Sequence, residues 1–344
     1  MTSTTHDAQL GSVLVTGATG QVGRRLVSAL LAAGHPVTLL TRSPEAARRL
    51  WPNDHVAVHE GDLTNAASLA GLGAGVQTVF HLASYAPRPD EPDLYNAPDH
   101  WRVTAEGTAN LVAALADASI ERLVYVSTVK AMGDRAGTLG HPASADAPPE
   151  PDCLYGRAKL AAEQQVLALG HAHGIKVSVM RLPMVYGLDG AGNIARLVGA
   201  VAAGRFPPWP RLQNRRSAIH VEDAIDAALL IARHPESGGR AYIATDGQPY
   251  STRWIYEQIR LALGRPIPRW TVPLWMLRRA AAGGTLAERW FGRRMPLTLD
   301  VLSKLTQDAW YDSSAMAALG FVPRHGLADE IKRLTRRLSA ESAP

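Results

Sequence analysis

The sequence predicts an α/β fold: a doubly wound parallel sheet with a smaller C-terminal subdomain. Three observations carry that prediction. Short β-branched and apolar runs alternate with Ala/Leu-rich helical stretches through the first half of the chain, the pattern of βαβ units. A glycine-rich turn, Thr16-Gly17-Ala18-Thr19-Gly20-Gln21-Val22-Gly23, joins the first such run to the first helix. Beyond Val185 the pattern breaks into shorter units, and strand character returns only at Ala241-Tyr242-Ile243-Ala244. A chain of 344 residues is long enough for one large core and an appended subdomain.

In order along the chain, Gly11 to Thr16 reads as a buried strand ending at Gly17. A helix follows from Gln21 to Ala33, with Gly34 as its C-terminal cap. Further strands are expected at Val37 to Thr41, Val56 to His59, Thr78 to Leu82, Leu123 to Ser127 and Val177 to Arg181. Helices lie between them, among them Val103 to Ala116 and Leu154 to Leu169. The Pro-rich stretches Pro87 to Pro98 and His141 to Pro151 read as active-site loops rather than linkers. No internal repeat is evident.

The glycine turn has a chemical meaning. Without Cβ atoms at 17, 20 and 23, a pyrophosphate fits against the helix N-terminus, where free N–H groups and the helix dipole favour negative charge. Strand, turn and helix stand in the order a Rossmann-type dinucleotide site requires. Gly17, Thr19, Gly20, Gln21, Val22 and Gly23 are therefore candidate cofactor-binding residues, with a plain tight turn as the alternative.

Tyr155 and Lys159 in Leu154-Tyr155-Gly156-Arg157-Ala158-Lys159 form the second motif. A free tyrosine, with a pKa near ~10, relays protons poorly at neutral pH. A nearby ammonium and the positive ring of an oxidised nicotinamide favour the phenolate and bring it towards the working range. On a helix, residues four apart share a face, so the pair serves one substrate atom. An accidental YxxxK on an amphipathic helix is the alternative.

Cofactor choice depends on the end of the second strand, where a carboxylate suits the ribose 2′-hydroxyl of NAD and an arginine the 2′-phosphate of NADP. Leu39-Leu40-Thr41-Arg42-Ser43 holds no acid, so Arg42 favours NADP(H) over NAD(H), with an arginine stacked on adenine or pointing into solvent as the alternatives. A net reductase exchanges its cofactor each turnover, whereas an epimerase keeps it bound, so Arg42 also tilts towards reduction.

Composition narrows the class without naming it. One cysteine, Cys153, excludes an intramolecular disulfide, fits a reducing compartment and reads as a small loop filler. No CxxC or HExxH spacing suggests a metal. The N-terminus Met1 to Leu10 is polar, and no stretch approaches the ~20 apolar residues that span a bilayer, so a soluble cytoplasmic protein is expected.

The ordered set of motifs resembles the extended short-chain dehydrogenase/reductases of the NAD-dependent epimerase/dehydratase family over nearly the whole chain. Besides the turn and the Tyr/Lys pair, it comprises Gly61-Asp62-Leu63, His81-Leu82-Ala83-Ser84, Gly107-Thr108-Ala109-Asn110-Leu111, Val124-Tyr125-Val126-Ser127-Thr128, Arg181 to Gly187 and Ile219-His220-Val221-Glu222-Asp223. The resemblance implies that Asp62 and Leu63 hold the adenine and that Leu82, Ala83 and Ser84 line the phosphates and ribose, Ser84 also facing substrate. It makes Thr128 the catalytic hydroxyl with Ser127 before it, Tyr155 the proton relay and Lys159 a nicotinamide-ribose ligand as well. Pro183 to Val185 pass beside the carboxamide. Residues 1–185 are mainly the dinucleotide-binding domain and 186–344 mainly the substrate subdomain, with about 217–245 returning to the core. A homodimer through the helices near 103–116 and 154–169 is implied.

Gly190-Ala191-Gly192-Asn193 and Gln213-Asn214-Arg215-Arg216-Ser217 resemble sites where nucleotide-sugar enzymes bind a diphosphate, which makes Asn193 and Arg216 substrate candidates. Ordinary surface arginines are the alternative. Together with Ser127-Thr128-Val129-Lys130, which adds Lys130, the second segment resembles a bacterial subgroup acting in O-antigen and related polysaccharide assembly. That subgroup includes UDP-4-keto-6-deoxy-sugar reductases and 4-epimerases of UDP- or polyprenyl-diphosphate sugars. A 4-ketoreductase of a nucleotide-bound hexos-4-ulose is the expected activity. A 4-epimerase, a reductase of a non-sugar carbonyl and a non-catalytic dinucleotide sensor remain alternatives.

From Ser251 onward fifteen Lys/Arg face eight acids, a surplus of +7 against +5 for the whole chain, so the basic excess is C-terminal. Trp270 to Arg279 adds aromatic groups, a combination that suits a lipid headgroup surface or, alternatively, a subdomain helix with solvated arginines. No recognition motif for nucleic acid accompanies the charge.

Overall fold

The strands are β1 (Val13–Thr16), β2 (Val37–Thr41), β3 (Val56–Glu60), β4 (Thr78–His81), β5 (Arg122–Thr128), β6 (Lys176–Leu182), β7 (Met184–Tyr186), β8 (Ala218–His220) and β9 (Arg240–Ile243). Seven of them form one sheet in the order β3-β2-β1-β4-β5-β6-β9, and β7 pairs with β8 apart from it. The helices are α1 (Gln21–Ala32), α2 (Pro44–Leu50), α3 (Gly107–Leu115), α4 (Leu154–His173), α5 (Gly192–Ala202), α6 (Val221–Arg233), α7 (Thr252–Ala262), α8 (Leu274–Phe291), α9 (Leu299–Thr306), α10 (Ser314–Ala318) and α11 (Leu327–Glu341). This computed structural model describes residues 9–52, 56–88, 91, 93–189, 192–291 and 295–341. Of the positions singled out in the sequence, Met1 to Ala8, Pro89, Asp90, Pro92, Gly190 and Ala191 lie outside these residues.

Every pairing in the main sheet is parallel, so each connection crosses over a face and both faces are covered. β1 shows how its sequence serves both sides. Val13 and Val15 point to a core with Leu26 and Leu30 of α1 and Ile225 and Ile231 of α6. Leu14 points the opposite way, to Leu111 and Leu115 of α3 and Val166 and Leu169 of α4, as the two-residue pleat requires. Strand order reverses between β1 and β4, which opens a crevice at their C-terminal ends.

After β7 the chain builds a second core, in which α5, α7, α8, α9 and α11 bury Val198, Trp209, Ile255, Tyr256, Leu302 and Ile331. It also returns to the sheet: α6 packs in the first core and β9 pairs with β6.

Two helices differ from expectation. The helix expected over 103–116 begins as π-helical turns at His100–Glu106 and becomes α-helical at Gly107. The wider turns keep His100, Thr104 and Thr108, four residues apart, buried together. There Thr104 Oγ1 accepts from Tyr85 N at 3.2 Å and Thr108 Oγ1 meets His81 Nε2 at 2.9 Å. Interruptions of this kind often mark functional sites. Helix α4 runs past Leu169 to His173, where Gly174 stops it at φ +69°.

Candidate active site

Parallel register brings the sheet's C-terminal ends to one edge. Thr16 aligns with Leu40 and His81, Thr41 with Glu60, His81 with Tyr125 and Thr128 with Leu182. Gly17, Arg42, Asp62, Leu82 to Ser84, Ser127, Thr128 and Pro183 therefore all leave the sheet on the same side.

The glycine turn is sterically obligatory at two points. Gly17 has φ +71°, and a Cβ there would lie 2.7 Å from Ala83 N. A Cβ on Gly23 would run into Gly17 O and the Ala18 backbone, so the first turn of α1 packs directly on the loop. No side chain caps α1 at Gly20 and no acid stands in its first turn, while Thr19, Gly20 and Gln21 are exposed and Val22 half-buried at the rim. This cradle fits a pyrophosphate by shape and by its free donors. Beside it Ala83 N donates to Thr16 Oγ1 at 3.1 Å, and Leu82, Ala83 and Ser84 are half-buried.

Just past β3, Asp62 accepts from Thr64 N and Thr64 Oγ1, both at 2.8 Å. Burial raises its carboxyl, but these hydrogen bonds and the charges of Arg42 and Arg102 outweigh it and hold the group below its ordinary value. Arg42 is exposed at the end of β2. Leu63 is buried, and its carbonyl accepts from Asn110 Nδ2 at 2.7 Å, which gives Gly107-Thr108-Ala109-Asn110 a structural purpose.

Under the edge runs a buried polar chain. Thr16 Oγ1 and His81 Nδ1 are 2.6 Å apart, and His81 is pushed down to about 3 by burial and then by the charge of Lys159.

Tyr155 stands in the first turn of α4, whose N-cap is Cys153, with Gly156 N donating to its Sγ at 3.4 Å. Burial raises that thiol, so the expected loop filler is an inert helix cap. The neighbouring Thr128 hydroxyl favours the ionised Tyr155 phenol, yet burial prevails and pushes it up to about 12. Thr128 Oγ1 also accepts from Lys130 N at 3.3 Å. Lys159, one turn on and 3% exposed, donates to Val126 O at 2.9 Å and lies 4.8 Å from the Tyr125 ring centroid. Burial draws it down to about 8, against the opposing charge of Glu163.

The sequence predicted that the ammonium lowers the phenol. In the protein alone the phenol is raised instead, because desolvation outweighs the other influences and Lys159 is aimed at a carbonyl and a ring.

Ser127 is a candidate whose side chain faces elsewhere. Its hydroxyl donates to Glu163, which also receives Arg181 Nε at 3.0 Å and Nη2 at 2.7 Å in a buried pair. Pro183 and Val185 are half-buried where β6 passes into β7.

Around Tyr155 an aromatic wall gathers. Tyr95 O accepts from Tyr155 N at 2.8 Å, and the His100 ring lies 5.0 Å from both Tyr155 and Tyr85. Cations rim it: Lys130 Nζ, which is paired with Asp134, and Lys304 Nζ lie 5.2 Å and 4.1 Å from the Tyr95 ring centroid. The Arg216 guanidinium donates to Lys304 O and is held below its ordinary pKa by burial, against the opposing influence of Tyr311 and Asp134 nearby. Asn193 is not part of this group; it is exposed on α5 and accepts from Arg196 at 2.5 Å. A cleft lined by Asp134, Thr138, Gln213, Asn214, Thr306 and Asp308 opens beside the rim, not over Thr128, Tyr155 and Lys159.

Sequence reasoning missed Tyr95, His100, Lys304 and the Glu163–Arg181 pair. Glu163 had a signal, since it repeats the Tyr155 to Lys159 spacing on one helix face. Lys304 had none, because folding alone joins α9 to the 93–100 loop.

Comparison with known proteins agrees with this geometry. Residues 13–244 match the family described as "NAD dependent epimerase/dehydratase family". The UDP-glucose 4-epimerase of Vibrio cholerae is 27% identical over 326 residues, covering 94% of each chain. The 4-hydroxy-2-methyl-3-oxo-4-farnesyl-3,4-dihydroquinoline-1-oxide ketoreductase of Stigmatella aurantiaca is 30% identical over 268 residues, covering 78% of each. Among solved structures, UDP-glucose 4-epimerase from Thermotoga maritima with UDP-glucose superposes with a TM-score of 0.73 at 18% identity, over 96% of this chain and 100% of that one.

Proposed function

Because this chain belongs to the NAD-dependent epimerase/dehydratase family and is an enzyme of the extended short-chain dehydrogenase/reductase type, we propose that it reduces C4 of a nucleotide-bound 4-keto sugar, a UDP-4-keto-6-deoxy-hexosamine. The observation that supports this reading is the placement of Tyr155 in the first turn of α4 beside Thr128, with a phenol that burial pushes up to about 12 and that is therefore protonated at neutral pH. A protonated phenol is a proton donor, as carbonyl reduction needs.

The residues fit a dinucleotide. Gly17 and Gly23 keep the cradle open, the Gln21 and Val22 N–H groups at the start of α1 take the pyrophosphate while Gly20 N donates to Gly17 O at 3.1 Å, and Asp62 and Leu63 take the adenine. Leu82, Ala83 and Ser84 line the phosphates and ribose, while Pro183 and Val185 flank the carboxamide. Arg42, exposed with no acid beside it in its own loop, takes a 2′-phosphate, so NADP(H) is favoured. When bound, the nicotinamide supplies the hydride. Tyr155 gives its proton to the carbonyl oxygen, Thr128 holds that oxygen by a hydrogen bond, and Lys159 keeps positive charge beneath both. Lys130 and Arg216, joined by Lys304, suit the substrate diphosphate. Asn193 joins them only after releasing Arg196.

Reduction of a non-sugar ketone is favoured by a different observation, the aromatic wall of Tyr85, Tyr95 and His100 around Tyr155. The 30% identical relative is a ketoreductase. Outward-facing Ala109 and Ala113 on α3 and Gln164 and Ala168 on α4 suit a homodimer through those helices.

Cofactor released from denatured, freshly purified protein separates these activities by mass spectrometry. An empty site that takes up NADPH and oxidises it with UDP-4-keto-6-deoxy-N-acetylglucosamine supports the sugar reductase. Stoichiometric NAD assigns a 4-epimerase instead. Arg42→Asp is expected to lower the preference for NADPH over NADH by about tenfold to a hundredfold in kcat/KM.

A further inference from the structure

Helix α8 has two faces, and the described residues cover only one of them. Leu277 and Ala281 are buried, and Thr285 Oγ1 accepts from Leu299 N at 2.9 Å, so this stripe closes a hairpin with α9. At 3.6 residues per turn, Trp275, Arg279, Leu286 and Trp290 form the opposite stripe. Trp275 is 59% exposed, Leu286 53% and Trp290 77%; Phe291 at the helix end and Trp270 just upstream are exposed too. Isolated exposed apolar residues need no explanation, but a contiguous stripe does.

The charge of the segment says what covers it. Between Gln258 and Leu299 the sequence holds eight arginines and one acid, Glu288. Glu288 is half-buried towards the covered side, while Arg278, Arg279 and Arg289 are exposed among the aromatics. The Arg279 guanidinium carbon lies 5.6 Å from the Trp275 ring centroid. Two copies meeting through this face would oppose their arginines. An anionic lipid surface answers both properties, since indoles settle at headgroup depth and arginines extend to the phosphates. Among the described residues no helix is long and apolar enough to cross a membrane.

We propose that α8 docks the protein peripherally on an anionic membrane, with Trp275, Leu286 and Trp290 in the headgroup layer and Arg278, Arg279 and Arg289 on lipid phosphates. Helix α9, the other arm of the hairpin, carries Lys304 to the Tyr95 ring. Docking therefore sets the rim of the active site one helix from the lipid surface.

Full-length protein is to be sedimented with phosphatidylcholine vesicles and with vesicles that also contain phosphatidylglycerol. Binding to the anionic vesicles alone is expected, weakened by salt and accompanied by a blue shift of tryptophan emission. The variant R278Q/R279Q/R289Q should lose about a hundredfold in partition, and W275A/L286A/W290A about tenfold or more. Both variants should keep wild-type circular dichroism and NADPH affinity, which separates loss of docking from loss of fold. Failure of the wild type to bind anionic vesicles overturns the proposal, as does binding undiminished in both variants. So does a wild-type dimer that the W275A/L286A/W290A variant converts to monomer in sedimentation, which assigns the face to a second copy.

Discussion

In the proposed mechanism Tyr155, Thr128 and Lys159 divide one task between them. Burial keeps the phenol protonated up to about 12 despite the opposing influence of Thr128, and Lys159, drawn down to about 8, is the one of the three that titrates near physiological pH. Its charge is present below pH 8 and lost as the pH rises through that value. The alkaline limb of kcat/KM for carbonyl reduction should therefore fall near pH 8 rather than near 12. Lys159→Arg, which stays charged, should abolish that limb while keeping measurable activity; a limb unchanged in the variant would assign it to another group. The spacing of Tyr155 and Lys159 was legible because four residues make one helical turn. The raised phenol was not, because desolvation depends on Tyr95, His100 and the loop laid over α4. Lys304 and Tyr95 are more than two hundred residues apart in the sequence, and no local pattern announces their contact.

Among the elements, the β1 turn and α1 separate what the fold needs from what the ligand needs. A Cβ at Gly23 meets backbone atoms of the loop beneath it, whereas one at Gly20, whose φ is −72°, approaches only Gly17 O at 3.2 Å. Gly23→Ala should destabilise the protein by about 1–3 kcal/mol in denaturant unfolding. Gly20→Ala should leave stability close to wild type but weaken NADPH binding, because its methyl group would stand where the pyrophosphate approaches. Equal stability losses in the two variants would contradict this division. Strands β1 to β6 were legible because β-branched runs between helices have few other solutions in a parallel sheet. The π-helical start at His100 was not, since it answers to Thr108 meeting His81 from another strand.

For the whole molecule, the chain of polar groups under the sheet edge makes stability depend on pH. His81, held down to about 3, binds no proton in the native state between its unfolded value of 6.5 and 3, whereas the unfolded chain does. The native state therefore loses stability as the pH falls through that range, by about 5 kcal/mol at full extent. Asp246, raised to about 6 by burial, acts in the opposite direction over part of the same range. The comparison of wild type with His81→Asn isolates the histidine: their difference in unfolding free energy should shrink as the pH drops from 6.5 to 4. A constant difference would show that His81 takes up its proton without resistance. Fold class was legible at this scale because alternation and the glycine turn are local. The subdomain was read only as irregular sequence, because its core joins α5 to α11 across long intervals. The catalytic assignment itself is tested most directly by Tyr155→Phe, with NADPH affinity and turnover of UDP-4-keto-6-deoxy-N-acetylglucosamine measured beside wild type. Turnover should fall by about 10² to 10⁴ while the Kd for NADPH stays within about twofold; turnover equal to that of wild type would contradict the account.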